Sequence, residues 1–328
     1  MSLPTPYPAP HLAAVREAET RIRPYVPPSP LVLSDSLSSN GREVRLKLES
    51  LNPSGSFKIR GAANSLLRLA ERSPGTGVVT QSSGNHGRAI AFMAAKLGLS
   101  ATVCVSNLVP EVKRRAIESL GARTVVEGKD QDEALEVALR LAEEEALQFV
   151  PAFDDYDIIC GQGTLGLELL DQWPDVDTIF VPLSGGGLIS GVALAAKALK
   201  PETAVIGVTV DHGAAMADSL EAGEIVDVEE LPSYADALPG GIPRGNRYTF
   251  EICRRLLDGV LRIPESRIAA AMVHALTTER LVLEGAGAIG LAPLLTAEEV
   301  SDGRRLAVVC TGNNVDLETL LDLVRQAD

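Results

Sequence analysis

The sequence predicts an α/β fold of two units, each a parallel sheet wrapped by helices, and three observations lead there. From Gly77 onward, short β-branched runs alternate with longer helical ones, the order that parallel strands joined by crossover helices require. With 328 residues the chain is long enough for two units that each bury a core. Two strand-to-helix junctions carry runs of serine and glycine, which are turn formers rather than helix or strand formers.

In chain order, a proline-rich lead precedes a helix predicted over residues 11–22. Residues 25–30, Tyr-Val-Pro-Pro-Ser-Pro, form an extended arm, because proline fixes φ and restricts the residue before it. Residues 42–49 alternate as a strand does, with Val44, Leu46 and Leu48 on one side. A turn over 52–57 then leads into a helix patterned by Ala63, Leu66, Leu67 and Ala70. Strands are predicted over 77–81, 101–106 and 124–126, with helices over 85–97, 110–120 and 131–147. This alternation makes residues 72–152 a small α/β unit. The rest, 1–71 with 153–328, forms the larger one. It has helices over 162–170, 188–199, 214–221, 248–257, 265–282 and 286–295, strands over 178–182, 204–210 and 305–310, and a closing helix from Leu317.

Composition narrows the function. A net charge of −14 argues against nucleic acid and anionic membranes as partners. Cys104, Cys160, Cys253 and Cys310 have no paired spacing, so neither a disulfide framework nor a metal site is expected, and the compartment is read as reducing. The first ten residues lack the basic start and apolar core of a signal peptide, and no run of about 18 apolar residues spans a bilayer. A cytoplasmic protein is expected.

Four stretches carry chemistry. The turn Asn52-Pro-Ser-Gly-Ser-Phe57 delivers Lys58 to a helix start, where the helix dipole and partial desolvation disfavour the ammonium and make a nucleophilic amine accessible. A solvated surface lysine is the alternative for that residue alone. Ser82-Ser83-Gly84-Asn85-His86-Gly87 joins a strand to a helix and exposes successive N–H groups, a place for a carboxylate or phosphate as well as an ordinary capped turn. Ser184-Gly185-Gly186-Gly187-Leu188 also follows a strand and opens a helix. Its glycines admit close approach to the main chain, and its spacing suits a phosphate monoester rather than a dinucleotide. Thr311, after the last strand, lies at the carboxyl edge where ligands of parallel sheets gather.

In order and spacing these motifs resemble the fold-type-II pyridoxal-phosphate enzymes, most closely the threonine/serine dehydratase and serine racemase family. The residues that carry the likeness are Ser56–Ala62, Ser82–Gly87, Gly161–Thr164, Ser184–Leu188, Glu284–Ala288 and Thr311–Asp316. The resemblance implies a tryptophan-synthase-β-like fold with pyridoxal phosphate in the cleft between the two α/β domains. It implies that Lys58 holds the cofactor covalently and takes the substrate's Cα proton, that Phe57 packs beside the ring, and that Asn85 meets the 3-hydroxyl. Gly185, Gly186, Gly187 and Leu188 would hold the phosphate through their N–H groups, and Thr311 would meet the pyridine nitrogen. Ser82, Ser83, Gly84, Asn85 and His86 would hold the substrate carboxylate, with Ser83 also placed for the opposite face of Cα. A hydroxyl at the ring nitrogen makes a weaker electron sink than an aspartate would, which favours β-elimination. The expected partner is an amino acid, and the family's habit implies a homodimer.

Some positions depart from the family pattern. Thr209 and Ala215 stand where carboxylates commonly bind a cation, so no metal is expected there, with Asp211 and Asp218 left as a shifted alternative. Ser184, Arg88 and Thr311 replace a glycine, a glutamine and a serine. Residues 239–248 bring Arg244 and Arg247, either of which could pair with a second carboxylate or be solvated. The leading expectation is a deaminating dehydratase for L-threonine or L-serine. Its alternatives are a 3-hydroxyaspartate or hydroxyectoine-pathway dehydratase, a racemase or β-replacement synthase, and a cofactor-binding protein without catalysis.

Overall fold

The computed structural model describes residues 9–39, 41–296 and 303–327. Its elements are, in chain order, α1 (Leu12–Ile22), β1 (Leu31–Leu33), β2 (Glu43–Leu48), α2 (Lys58–Arg72), β3 (Val78–Gln81), α3 (Asn85–Leu97), β4 (Ala101–Val105), α4 (Glu111–Glu118), β5 (Arg123–Val126), α5 (Gln131–Glu144), β6 (Gln148–Phe149) and α6 (Tyr156–Gln172). They continue with β7 (Thr178–Pro182), α7 (Gly187–Leu199), β8 (Ala204–Val210), α8 (Ala215–Ala222), α9 (Thr249–Leu256), β9 (Gly259–Ile263), α10 (Glu265–Thr277), α11 (Gly285–Ala288), β10 (Arg305–Cys310) and α12 (Leu317–Ala327).

Two sheets result, of order β1-β2-β10-β7-β8-β9 and β5-β4-β3-β6. Every pairing is parallel except that of β1 with β2. Burial explains the sequence pattern: all five residues of β7 are buried, as are the last five of β10, because helices cover both faces of the central strands. Strands in parallel end together, so the turns after β10, β7 and β2 share one edge. Cys310 pairs with Leu48 and Val308 with Phe180 in that register.

Helix α2 lies between the two sheets. Its Ile59, Ala62, Ala63 and Leu66 share a core with Val78, Ile90, Met93 and Val103 of the smaller sheet's layer. Behind it, α6 packs closely enough that a Cβ at Gly161 would lie 2.5 Å from the Arg60 carbonyl oxygen. This explains one departure from expectation. The helix predicted over 162–170 begins at Tyr156, where the Asp155 carboxylate accepts from the N–H groups of Asp157 and Ile158. Its glycines, poor helix formers, are kept for contact with neighbouring helices. Strands β1, β6 and β9 are edge strands that the pattern did not indicate, and the helix predicted over 265–282 stops at Thr277. Residues 289–295 form a 3-10 segment around Pro293 rather than continuing the α-helix.

The first turn of α2 is fixed by a buried ionic cluster. The Arg60 guanidinium donates to both Glu49 oxygens, at 2.7 and 2.8 Å, and to Glu168 Oε2 at 3.1 Å. Lys47 pairs with the same Glu168 and donates to the Ser29 carbonyl at 2.8 Å. Two cations and two carboxylates thus balance where water is excluded, tying β2 and α6 to the start of α2. Because a buried pair that loses one partner leaves an uncompensated charge, Arg60→Met should lower stability by about 3–5 kcal/mol. Denaturant unfolding measures this, and a loss below about 1 kcal/mol would show that the cluster is not the anchor.

Candidate active site

The lysine turn is docked onto the end of β10. The Phe57 N–H donates to the Thr311 carbonyl at 3.0 Å, the Asn313 N–H donates to the Gly55 carbonyl at 3.1 Å, and Ser56 bridges Gly312. Gly55 makes this possible with φ of +79°, a conformation that side chains with a Cβ resist. Lys58 follows as the first residue of α2, its Nζ donating to the Ala152 carbonyl at 2.8 Å and lying 5.3 Å from the Phe57 ring centre. Burial lowers its pKa to about 8, against the opposing pull of Glu284. Part of its surface stays accessible, so this is the burial of a cleft and not of a core.

Beside Ala152 stands Phe153, and Phe153 covers the glycine turn between β7 and α7. A Cβ at Gly185 would lie 2.6 Å from its ring, and one at Gly187 would lie 2.9 Å from its backbone. Gly186 has φ of +87°. Among the described residues, no protein group accepts from the N–H groups of Gly185, Gly186, Gly187 or Leu188. Four free donors at the start of a 13-residue helix, next to a lysine whose pKa burial lowers to about 8, fit a phosphorylated aldehyde. Residues 152 and 153 therefore join the two halves of that fit, a link the sequence pattern did not reveal.

The loop before α3 forms the facing wall. Ser82 Oγ accepts from the Gly84 N–H at 3.2 Å, while Ser83 is half-buried. Asn85 opens α3 and donates through Nδ2 to Glu284 Oε1 at 2.6 Å. Its own Oδ1 is buried without a partner. His86 is turned away from this wall: Nε2 meets the Val150 carbonyl at 3.1 Å, which requires the proton on that nitrogen. Burial, then the charge of Lys58, pushes its pKa down to about 3. Arg88, one turn along, donates to Asn314 Oδ1 at 2.6 Å.

Thr311 is buried at the end of β10, and its hydroxyl donates to the Ala286 carbonyl at 3.0 Å. Glu284, the residue before α11, closes the constellation, and burial raises its pKa to about 7. The sequence analysis counted it among the residues that carry the family resemblance but gave it no role at the site. The available signal was an acid immediately before the apolar run Gly285–Ala288, a placement that costs desolvation unless the carboxylate is used.

Other candidates lie apart from these groups. Arg244 forms a surface ion pair with Asp227, both side chains being about three-quarters exposed. The backbone N–H of Arg247 donates to Asp154, which also accepts from Tyr248 and Thr249 at the start of α9. Asp218 is bonded to Arg262 at 2.6 Å and Asp211 lies 2.5 Å from His212. Among the described residues, no three potential ligands converge as a metal site.

Comparison with known proteins agrees with this geometry. A Sinorhizobium fredii protein with a provisional threonine dehydratase name is 47% identical over 307 residues, 93% of this chain and 92% of that one. An L-threonine ammonia-lyase of Thermotoga maritima is 38% identical over 94% of this chain and 77% of its own length. Among solved structures, maize serine racemase superposes with a TM-score of 0.90 at 33% identity, covering 98% of each chain. The fold is that of the fold-type-II enzymes. Residues 22–312 match the family described as pyridoxal-phosphate dependent enzyme, and the chain belongs to that family.

Proposed function

We propose that the protein is a pyridoxal-phosphate-dependent ammonia-lyase that dehydrates and deaminates a β-hydroxy amino acid, L-threonine or L-serine in the first instance. The observation that carries this reading is the Lys58 amine, with a pKa near 8, set between four free N–H donors and the Asn85 loop. The named relatives support the reaction class: two act, by name, on threonine.

When bound, the cofactor supplies an aldehyde carbon for amines to attack and a conjugated ring that withdraws electron density from Cα. The chain supplies the rest. The N–H groups of Gly185, Gly186, Gly187 and Leu188 would hold the phosphate, helped by the positive end of α7. Phe57 would pack at the ring and Asn85 would serve its 3-hydroxyl. Thr311 would present an uncharged oxygen to the pyridine nitrogen, its own proton being engaged by Ala286. Ser82, Ser83 and Gly84 orient the substrate carboxylate with Asn85, while His86 acts through the loop backbone, since its ring is bonded to Val150. Lys58, released as a free amine, takes the Cα proton. The Cβ–O bond then breaks as the hydroxyl takes a proton back from the Lys58 ammonium and leaves as water, and the resulting enamine tautomerises to an imine that a water molecule hydrolyses to a 2-oxo acid and ammonia.

The same reading divides the chain into a small unit, 72–152, and a large unit, 1–71 with 153–328, the cofactor lying between them. It also makes the protein a cytoplasmic homodimer. Four buried, unpaired thiols and the lack, among the described residues, of a helix long and apolar enough to cross a membrane are consistent with that setting. A second reading is racemisation. It is supported by the likeness to maize serine racemase, with Ser83, half-buried in the loop before α3, as the residue that would act on the second face of Cα.

Incubation of purified protein with L-threonine, L-serine and both 3-hydroxyaspartates should yield 2-oxo acid and ammonia from threonine or serine. Formation of the enantiomer without ammonia would establish the racemase instead, and turnover only on hydroxyaspartate would reassign the substrate. Lys58→Ala should remove both the visible imine band and turnover; turnover retained in that variant would refute the mechanism.

The Lys58 amine also sets a pH dependence. Its free-base fraction rises from about a tenth at pH 7 to about nine-tenths at pH 9, so covalent attachment of the cofactor should quicken about tenfold across that range and then level. A rate still climbing beyond pH 10 would return Lys58 to the ordinary lysine range. Gly187→Ala, which drives a methyl group toward Phe153, should weaken cofactor retention by about 1–3 kcal/mol, read by equilibrium dialysis.

A further inference from the structure

Glu284 is a carboxylic acid with no cation within bonding distance among the described residues. Its side-chain partner is the Asn85 amide, at 2.6 Å. The residue is 5% exposed and is followed by the buried residues Gly285, Ala286, Gly287 and Ala288. The charged groups that act on it from surrounding elements stand farther off: Lys58 on α2, Lys113 on α4, and Asp236 on the loop before α9. Room has been made for it, since a Cβ at Gly312 would collide with its Oε1. A residue kept only to fill this space need not be an acid, because glutamine has the same shape without the desolvation cost of a charge.

We propose that Glu284 is the positioning residue that fixes which end of the Asn85 amide faces the cofactor and makes that choice depend on its own protonation. This rests on the proposed role of Asn85 toward the cofactor's 3-hydroxyl. An amide has two N–H donors on nitrogen and an acceptor on oxygen. Ionised Glu284 can only accept, so it binds one Nδ2 hydrogen and leaves the second for the 3-oxygen of the cofactor. Once protonated, Glu284 becomes a donor, the unpaired Oδ1 of Asn85 competes for its proton, and the preference that held the amide nitrogen in place is lost. Burial pushes Glu284 to about 7, so the exchange falls near neutral pH. Charge at Glu284 also favours the protonated form of Lys58, so the state that orders Asn85 restrains the amine.

The test follows the visible imine band of the holoenzyme from pH 5.5 to 9 in the wild type, Glu284→Gln and Glu284→Ala, with thermal unfolding as a folding control. The wild type should show a spectral transition near pH 7. Glu284→Gln keeps an acceptor oxygen but no titrating proton, so it should lose that transition and hold the high-pH spectrum throughout. Glu284→Ala should also lose the transition and should release cofactor about tenfold more readily. Superimposable profiles for wild type and Glu284→Gln would overturn the proposal while leaving the lyase reading intact. Absence of any imine band in the wild type would overturn both. If Glu284→Ala does not fold, the Glu284→Gln profile decides the matter alone.

Discussion

The buried clasp of Arg60 by Glu49 and Glu168 is the constraint from which the site follows. Arg60 lies two residues beyond Lys58 on the same helical turn, so fixing its guanidinium fixes the direction in which α2 begins. The turn before it is held independently, by the bonds between residues 55–57 and 311–313. Lys58 thus stands between two anchors of different kinds, one ionic and one of backbone hydrogen bonds. A nucleophile must be held to within a fraction of an ångström if its approach to a bound carbon is to be reproducible, and neither anchor alone restrains both rotation and displacement of the helix start.

Burial in the cleft moves its acids and bases toward neutrality. Lys58 falls to about 8, Glu284 rises to about 7, and His86 falls to about 3, each chiefly because desolvation penalises the charged form. These shifts have consequences for folding. Glu284, raised above its ordinary 4.5, binds its proton more tightly when folded, so its contribution to stability declines as pH rises from 4.5 to 7. Lys58 and His86, both lowered, work in the other direction. The unfolded chain holds their protons more tightly, so their contributions improve as pH rises from about 8 to 10.5 and from about 3 to 6.5 respectively. At neutral pH the ionised lysine and carboxylate both stand at a cost to stability, which the well-packed sheets on either side offset.

How much of this was legible in the sequence depended on whether the signal was local. Lys58, the glycine turn 184–188 and the loop 82–87 announced themselves because a main chain that must turn sharply or expose N–H groups needs glycine, serine or asparagine at fixed offsets. The alternation of elements showed the parallel sheets for the same reason. Glu284 had no such signal, since an isolated glutamate acquires meaning only when tertiary packing removes its water and brings Asn85, 199 positions away, into contact. The start of α6 was hidden by glycines that propensity counts against a helix and that packing against α2 and α7 requires. Edge strands β1 and β6 were hidden by their brevity, whereas β9, as long as β7, is mostly half-buried and lacks the continuous apolar run of a central strand. Arg244 looked eligible for the cleft until the fold placed it on the surface beside Asp227.

The end of β10 bears on the chemistry through what it withholds. An aspartate beneath a pyridine nitrogen would keep that nitrogen protonated and let the ring store an electron pair. On the proposed placement of the cofactor that position falls to Thr311, whose hydroxyl proton is directed to the Ala286 carbonyl. A neutral oxygen provides no counter-charge for a pyridinium, and the Glu284 carboxylate is bonded to the Asn85 amide rather than to Thr311. With little capacity to store charge in the ring, loss of the Cα proton is best coupled to departure of a group from Cβ, which removes the electron pair as it forms. The same economy makes transamination, which needs a long-lived carbanion, the less suitable reaction for this cleft. Elimination from a β-hydroxy amino acid is thus the outcome that the placement of one hydroxyl and one carboxylate favours.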